Sequence, residues 1–165
     1  MKKVFFIFLI ILIILLLIDQ AIKYILIDFV ISTQGISKDE IDLHGFYMIK
    51  DMPIISIALV FNTGVAFSFL TSLGEWLKYI QIALIFVIIA ILYSQKELFR
   101  THYIPFAMML GGGLSNVLDR FLHGGVVDYI YYHFGFDFPI FNFADVVIDC
   151  GIAIFIWQVI FKKKS

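Results

Sequence analysis

The 165 residues are 62% hydrophobic and 15% charged, with a net charge of -1 and a mean hydropathy of +1.00, against roughly 45–50% apolar for an ordinary soluble domain. This composition excludes a soluble globular protein, and the placement of Lys2, Lys3, Lys96, Arg100 and Lys162 to Lys164 beside apolar runs is membrane charge logic rather than nucleic-acid logic. The lone Cys150 excludes an intramolecular disulfide and, inside an apolar stretch, reads as a small hydrophobe.

A bilayer-crossing helix needs about 20 mostly apolar residues, and four segments approach that: 4–27, 76–94, 103–118 and 144–161. The first follows Lys2-Lys3 as a secretory leader would. No small-x-small cleavage site follows it, however, and Asp19-Gln20 interrupts it, so a retained helix is expected. Asp19 and Lys23 are four residues apart, the spacing of an ion pair on one helix face.

Between the first two runs, the polar stretch 37–44 reads as a surface loop or short helix. Residues 56–70 mix β-branched and aromatic side chains around Asn62-Thr63-Gly64, which predicts strands in an extramembrane platform rather than a fifth span. Gly111-Gly112-Gly113 in the third run lets helices approach closely; a phosphate-cradling loop would need a polar strand-to-helix context that is missing. Counting Lys and Arg puts the N-terminus, the 95–102 connection and the C-terminus in the cytoplasm. Residues 28–75 and 119–142 then face outward, where Arg120 needs a specific reason. One domain is expected, 1–165.

Four acids carry the functional question. Asp19 can be read as the structural partner of Lys23. Asp119 has Asn116 one turn before it and Arg120 after it, a setting that keeps a carboxylate ionised and makes it a brace rather than a proton shuttle. Asp128 lies in Val126-Val127-Asp128-Tyr129-Ile130 with no adjacent base, where desolvation should raise its pKa and suit it to acid or base work. Asp145 opens the fourth run, with Asn142 placed as an N-cap; taken alone it serves equally as a complement to the helix dipole.

Asp128 and Asp145 share the outer face, separated by a short aromatic-rich excursion that can fold back. Two carboxylates brought within about 3 Å share a proton, so one can activate water while the other protonates the substrate. That is aspartyl-protease chemistry, with no metal, cofactor or covalent intermediate. His44, His102, His123 and His133 show no metal-ligand spacing; His102 should be cytoplasmic, and His133 reads as an interfacial packing group that could border the site. Ser68 and Ser115 read as packing or hydrogen-bonding residues. An ion translocator would spread its acids across membrane depth, and a noncatalytic lipid-binding or assembly protein would tolerate their change to Asn.

Five motifs in order resemble one family: Asp19-Gln20-x-x-Lys23; Asn62-Thr63-Gly64-Val65-Ala66-Phe67-Ser68; Gly111-Gly112 followed by Asn116-x-x-Asp119-Arg120; Val126-Val127-Asp128-Tyr129-Ile130; and Phe141-Asn142-x-Ala144-Asp145. Nearly the whole chain is similar to bacterial lipoprotein signal peptidase, signal peptidase II. The resemblance implies an all-α polytopic membrane protein of four transmembrane helices with a small extracytoplasmic β-type platform and a short amphipathic helix. It implies an aspartic endopeptidase of the cytoplasmic (inner) membrane, a globomycin target, that cuts prolipoproteins just before a diacylglyceryl-modified cysteine. Asp128 and Asp145 become the catalytic dyad. Asn62, Gly64, Asn116, Arg120 and Asn142 become the polar shell, with Asp19, Lys23 and Asp119 as further support. The partners implied are prolipoprotein substrates and membrane lipid, with no nucleic acid, and a monomer is expected. Ser115, Val65 and Asp149 depart from the family pattern, where Gly, Ala and a small or hydroxylated residue are usual; Asp149 matters most, being one turn beyond Asp145.

Overall fold

Residues 2 to 34 form a single helix, α1 (Lys2–Gln34), of 33 residues. At 1.5 Å per residue it is about 50 Å long, well beyond the roughly 30 Å hydrocarbon layer, so it continues past the 4–27 apolar run. It stops at Gly35, whose φ of 64° is the left-handed geometry glycine favours and whose N–H caps the Ile31 carbonyl. The computed structural model describes residues 1–35, 41, 45–64 and 76–161. Within them the chain continues through β1 (Phe46–Lys50), β2 (Ile55–Asn62), α2 (Trp76–Ser94), α3 (Lys96–His123), β3 (Val126–Tyr132) and α4 (Phe143–Phe161). The 37–44 stretch, Ile41 apart, and the continuation of the 56–70 segment beyond Gly64 lie outside the described residues, as does any short amphipathic helix there.

The helices α1, α2 and α4 are each long and apolar enough to cross a membrane, and their exposed Phe6, Leu17, Phe86, Trp157 and Ile160 form a lipid-compatible surface. The helix α3 holds the expected 103–118 run but is longer and more polar, carrying Ser115, Asn116, Asp119 and Arg120, all buried. It packs against α1, α2 and α4. Being central, it need not present an apolar face to lipid all round. Its second turn breaks at His102, with φ of -123° and ψ of 24°, three residues before Pro105. Proline supplies no N–H and crowds the carbonyl of the preceding turn, which accounts for the break.

The glycine run works by close approach. A Cβ on Gly112 would lie 2.6 Å from the Ala144 carbonyl oxygen of α4, and one on Gly111 would lie 3.0 Å from the Leu12 carbonyl of α1. One on Gly113 would meet nothing nearer than Ile85, at 3.9 Å. Gly112→Ala should therefore destabilise the protein by about 1–3 kcal/mol, the usual cost of overpacking, whereas Gly113→Ala should not. Thermal unfolding of the two variants in detergent checks this, and equal midpoints would contradict it.

The three strands form an antiparallel sheet in the order β1-β2-β3. Gly124, with φ of 73°, ends α3 and turns the chain into β3. Leu59, Phe61 and Val127 of the sheet pack on Ile27 and Val30 at the end of α1. A second apolar cluster, including Phe8, Leu92, Phe99, Phe106 and Leu110, joins α1, α2 and α3 elsewhere. In register, Asn62 pairs with Val126 and Val60 with Asp128. Side chains alternate along strands, so Asn62 and Asp128 stand diagonally on one face of the sheet.

Candidate active site

Two layers of polar residues meet where α1, α3, β3 and the start of α4 converge. The inner layer is built on Lys23, which is 1% exposed. Its ammonium lies 2.6 Å from Asp19 Oδ2 and 2.6 Å from Asp119 Oδ2, and donates to Asn116 Oδ1 at 3.1 Å. Three donors thus meet three acceptors, the full capacity of a lysine. Asp19 also accepts from Ser115 Oγ at 2.6 Å and from the Ala144 N–H at 3.0 Å. Asp119 also accepts from Gln20 Nε2 at 2.7 Å and the Val127 N–H at 3.1 Å. The pair expected from the spacing of Asp19 and Lys23 forms, and it is part of a triad that also clamps the start of α4 and of β3 to α1.

The setting expected for Asp119 differs in its cation. Lys23, not Arg120, neutralises it, and Asn116 turns to other partners. Consecutive residues on a helix point about 100° apart, so Arg120 faces away from its neighbour. Its Nε donates to Gln81 Oε1 at 3.0 Å and its other arm to the Gly64 carbonyl, which ties α2 and the end of β2 to the site. These two bonds are the specific reason that the position of Arg120 called for. Gln81 was not singled out from the sequence; an amide inside the apolar run of α2 was the available signal.

The outer layer holds the two candidate carboxylates. Asn142 and Asp145 form a reciprocal cap on α4: Asn142 Oδ1 accepts the Asp145 N–H at 2.9 Å, and Asp145 Oδ2 accepts the Asn142 N–H at 3.1 Å. This is the capping box with Asp in the place of Glu. The same Asn142 donates through Nδ2 to Asp128 Oδ1 at 2.7 Å and to Asn116 Oδ1 at 3.2 Å. Asn62 Nδ2 donates to Asp128 Oδ2 at 3.0 Å, and Asn116 Nδ2 to Asp145 Oδ1 at 2.8 Å. One asparagine therefore bridges the two acids, and each acid accepts from two neutral donors.

Asp128 is 3% exposed. Burial, followed by the charge of Asp145, pushes its pKa up to about 7; hydrogen bonds from Asn62 and Asn142 and the nearby Lys23 offset this only in part. Tyr129, whose hydroxyl accepts the Phe143 N–H at 3.1 Å, is also pushed up by burial and adds a second strut under α4. Asn62, Asn116, Arg120, Asp128 and Asp145 all border a cavity of about 250 Å³. Of the ten residues picked from the sequence, eight lie in these two layers, and Arg120 and Gly64 border the same cavity beside them. His133 instead bonds Ser56 Oγ at 2.9 Å in the sheet, and His102 bonds Gln158 Oε1 at 2.6 Å between α3 and α4.

Residues 11–161 match the model of the family described as Signal peptidase (SPase) II. The chain belongs to the signal peptidase II family. Among similar proteins, a lipoprotein signal peptidase of Helicobacter pylori (strain Shi470) is 52% identical over 148 residues, covering 89% of this chain and 83% of that one. Another, from H. pylori strain 26695, is 47% identical over 165 residues, covering 99% and 94%. A solved bacterial membrane enzyme, determined by the in meso method at 2.3 Å, superposes with a TM-score of 0.70 at 26% identity, covering 96% of this chain and 89% of that one. Members of the family are aspartic peptidases of the membrane, and the acid-rich cavity lies within the matched region.

Proposed function

We propose that Asp128 and Asp145 form the catalytic pair with which this signal peptidase II removes signal peptides from prolipoproteins, cutting before a diacylglyceryl-modified cysteine. The observation that carries the assignment is the bridging of two cavity carboxylates by Asn142, whose side-chain amide donates to Asp128 and whose backbone N–H donates to Asp145. The charge of Asp145 raises the proton affinity of Asp128, so the two titrate and act as one unit. Asp128, with its raised pKa, holds the proton, and Asp145, facing the positive end of α4 and two N–H donors, suits the anion.

In the forward step Asp145 takes a proton from water as its oxygen attacks the scissile carbonyl, while Asp128 protonates the carbonyl oxygen. The proton on Asp145 then passes to the departing amine as the C–N bond breaks, and the new carboxyl group's hydroxyl returns a proton to Asp128. Asn62, Asn116 and Asn142 keep both acids in place; Gly64, held by Arg120, lies at the edge where an extended substrate backbone can be gripped. Asp19, Lys23 and Asp119 position these groups from behind.

Access fits a substrate that is itself an apolar helix with a lipidated end at the interface. Lys and Arg placement supports cytoplasmic termini with the pair near the extracytoplasmic face. The reading takes the chain as a monomer working as one membrane-embedded domain.

The chemistry requires the pair to retain one proton. With Asp128 titrating near 7, kcat should fall through an alkaline limb centred near that pH and then drop about tenfold per pH unit. Folded Asp128 binds its proton more tightly than an unfolded Asp, about 7 against 3.8. This group's contribution to stability therefore decreases as pH rises across that window. A pH profile of kcat on a diacylglyceryl-modified prolipoprotein tests this, and a flat profile between about pH 6 and 9 contradicts it.

A further inference from the structure

Asp149 is a cavity-lining carboxylate that neither layer of the site uses. It follows Asp145 by one turn of α4, about 6 Å along the helix axis, and lies on the same face. The surrounding Asn62, Asn116, Arg120, Asp128 and Asp145 are each hydrogen-bonded to protein groups. Asp149 is exposed and, among the described residues, has no hydrogen bond or ion pair. An acid within a spanning helix costs roughly 2.5–3.5 kcal/mol on insertion scales. Among the described residues no protein group offsets that cost, and the cavity that Asp149 lines is open to a partner.

The position of Asp149 specifies the chemistry of that partner. Anionic lipid headgroups are repelled by a carboxylate. A lysine at this depth of the substrate would carry an insertion cost of its own. An uncharged donor, a hydroxyl or amide, carries the smallest cost and makes a good hydrogen bond with either protonation state of the acid. The cavity follows α4 from Asp145 through Ile148 to Asp149, so a signal peptide whose scissile bond is held between Asp128 and Asp145 can extend along that helix. A 6 Å step then spans about two residues of extended chain or about four of helix.

We propose that Asp149 is a specificity-determining residue, which hydrogen-bonds a donor side chain of the signal peptide two to four residues before the modified cysteine. The enzyme favours Ser, Thr or Asn at one of those positions. The inference rests on the catalytic pair proposed above, since that pair sets the depth from which the positions are counted.

The test uses the full-length protein in detergent with diacylglyceryl-modified prolipoproteins that differ only by Ser or Ala at the second, third or fourth residue before the cysteine. The readout is the Ser-to-Ala ratio of kcat/KM. In the wild type one position should show a preference of roughly three- to tenfold, the scale of one net hydrogen bond. Asp149→Leu should bring that ratio to unity, and Asp149→Asn, which keeps an acceptor, should retain part of it. A ratio that survives Asp149→Leu, a variant that slows both substrates equally, or a wild type indifferent at all three positions overturns the proposal. The catalytic pair stands or falls on the turnover of Asp128 and Asp145 variants, which this ratio does not involve.

Discussion

Asp128→Asn and Asp145→Asn should each bind a diacylglyceryl-modified prolipoprotein and fail to cut it, with turnover lowered by roughly 10²- to 10⁴-fold, the range lost when a positioned acid or base is removed. Asparagine keeps the shape of each side chain, so the loss reports chemistry rather than packing. The two effects should not add. The carboxylates are bridged through Asn142 at 2.7 and 3.1 Å, and either one without the other has no proton to share. The double variant should be about as slow as the slower single one. A gel-shift cleavage assay on purified protein measures this, alongside a thermal melt to confirm folding. Near wild-type cleavage by either variant would refute the pair, as would two losses that multiply in the double variant.

The second large effect is on stability. Lys23→Met should destabilise the protein by about 3–5 kcal/mol, the cost of leaving buried charges without their partner. Both Asp19 and Asp119 are 0% exposed and both lie 2.6 Å from the lysine ammonium. Methionine fills the volume but supplies no charge. Because Asp19 holds the Ala144 N–H of α4 and Asp119 the Val127 N–H of β3, the damage should reach the site, and activity should fall with stability. Changing Asp19 and Asp119 to Asn in the same chain removes the stranded charges and should recover a large part of the loss. Thermal unfolding in detergent compares the three proteins. A Lys23→Met variant as stable as the wild type, or a triple variant less stable than it, contradicts the account.

The helices α1, α2 and α4 were legible because each is a long apolar run, and hydropathy depends on composition alone. The strands of the sheet were legible in part: Val126-Val127-Asp128-Tyr129-Ile130 has the β-branched and aromatic character that favours an extended chain, and it lies within β3. The capping of α4 could be read from Asn142 and Asp145 because a helix start is a local event confined to four residues. The Asp19–Lys23 pair could be read for the same reason, lying on one turn of one helix. Asp119 could not be assigned its cation, since the nearest basic residue in sequence, Arg120, points elsewhere and the true partner is 96 residues away. Gln81 stood out only as an amide in an apolar run, and its role exists only because α2 brings it to Arg120.

What the sequence by itself determined, then, is the membrane class, the helices and sheet strands it names, and the acids and amides that meet in the candidate site. Each of these follows from local composition, spacing or an ordered set of motifs. What only the tertiary structure decided is which donor meets which acid. Lys23 went to Asp119, Arg120 to Gly64 and Gln81, Asn116 to Asp145, and Asn142 to both members of the pair. Those choices depend on how closely α3 approaches α1 and α4 across Gly111 and Gly112 and on the register that puts Asn62 diagonal to Asp128. A hydrogen bond forms or fails over a few tenths of an ångström, a precision that spacing along a chain does not contain.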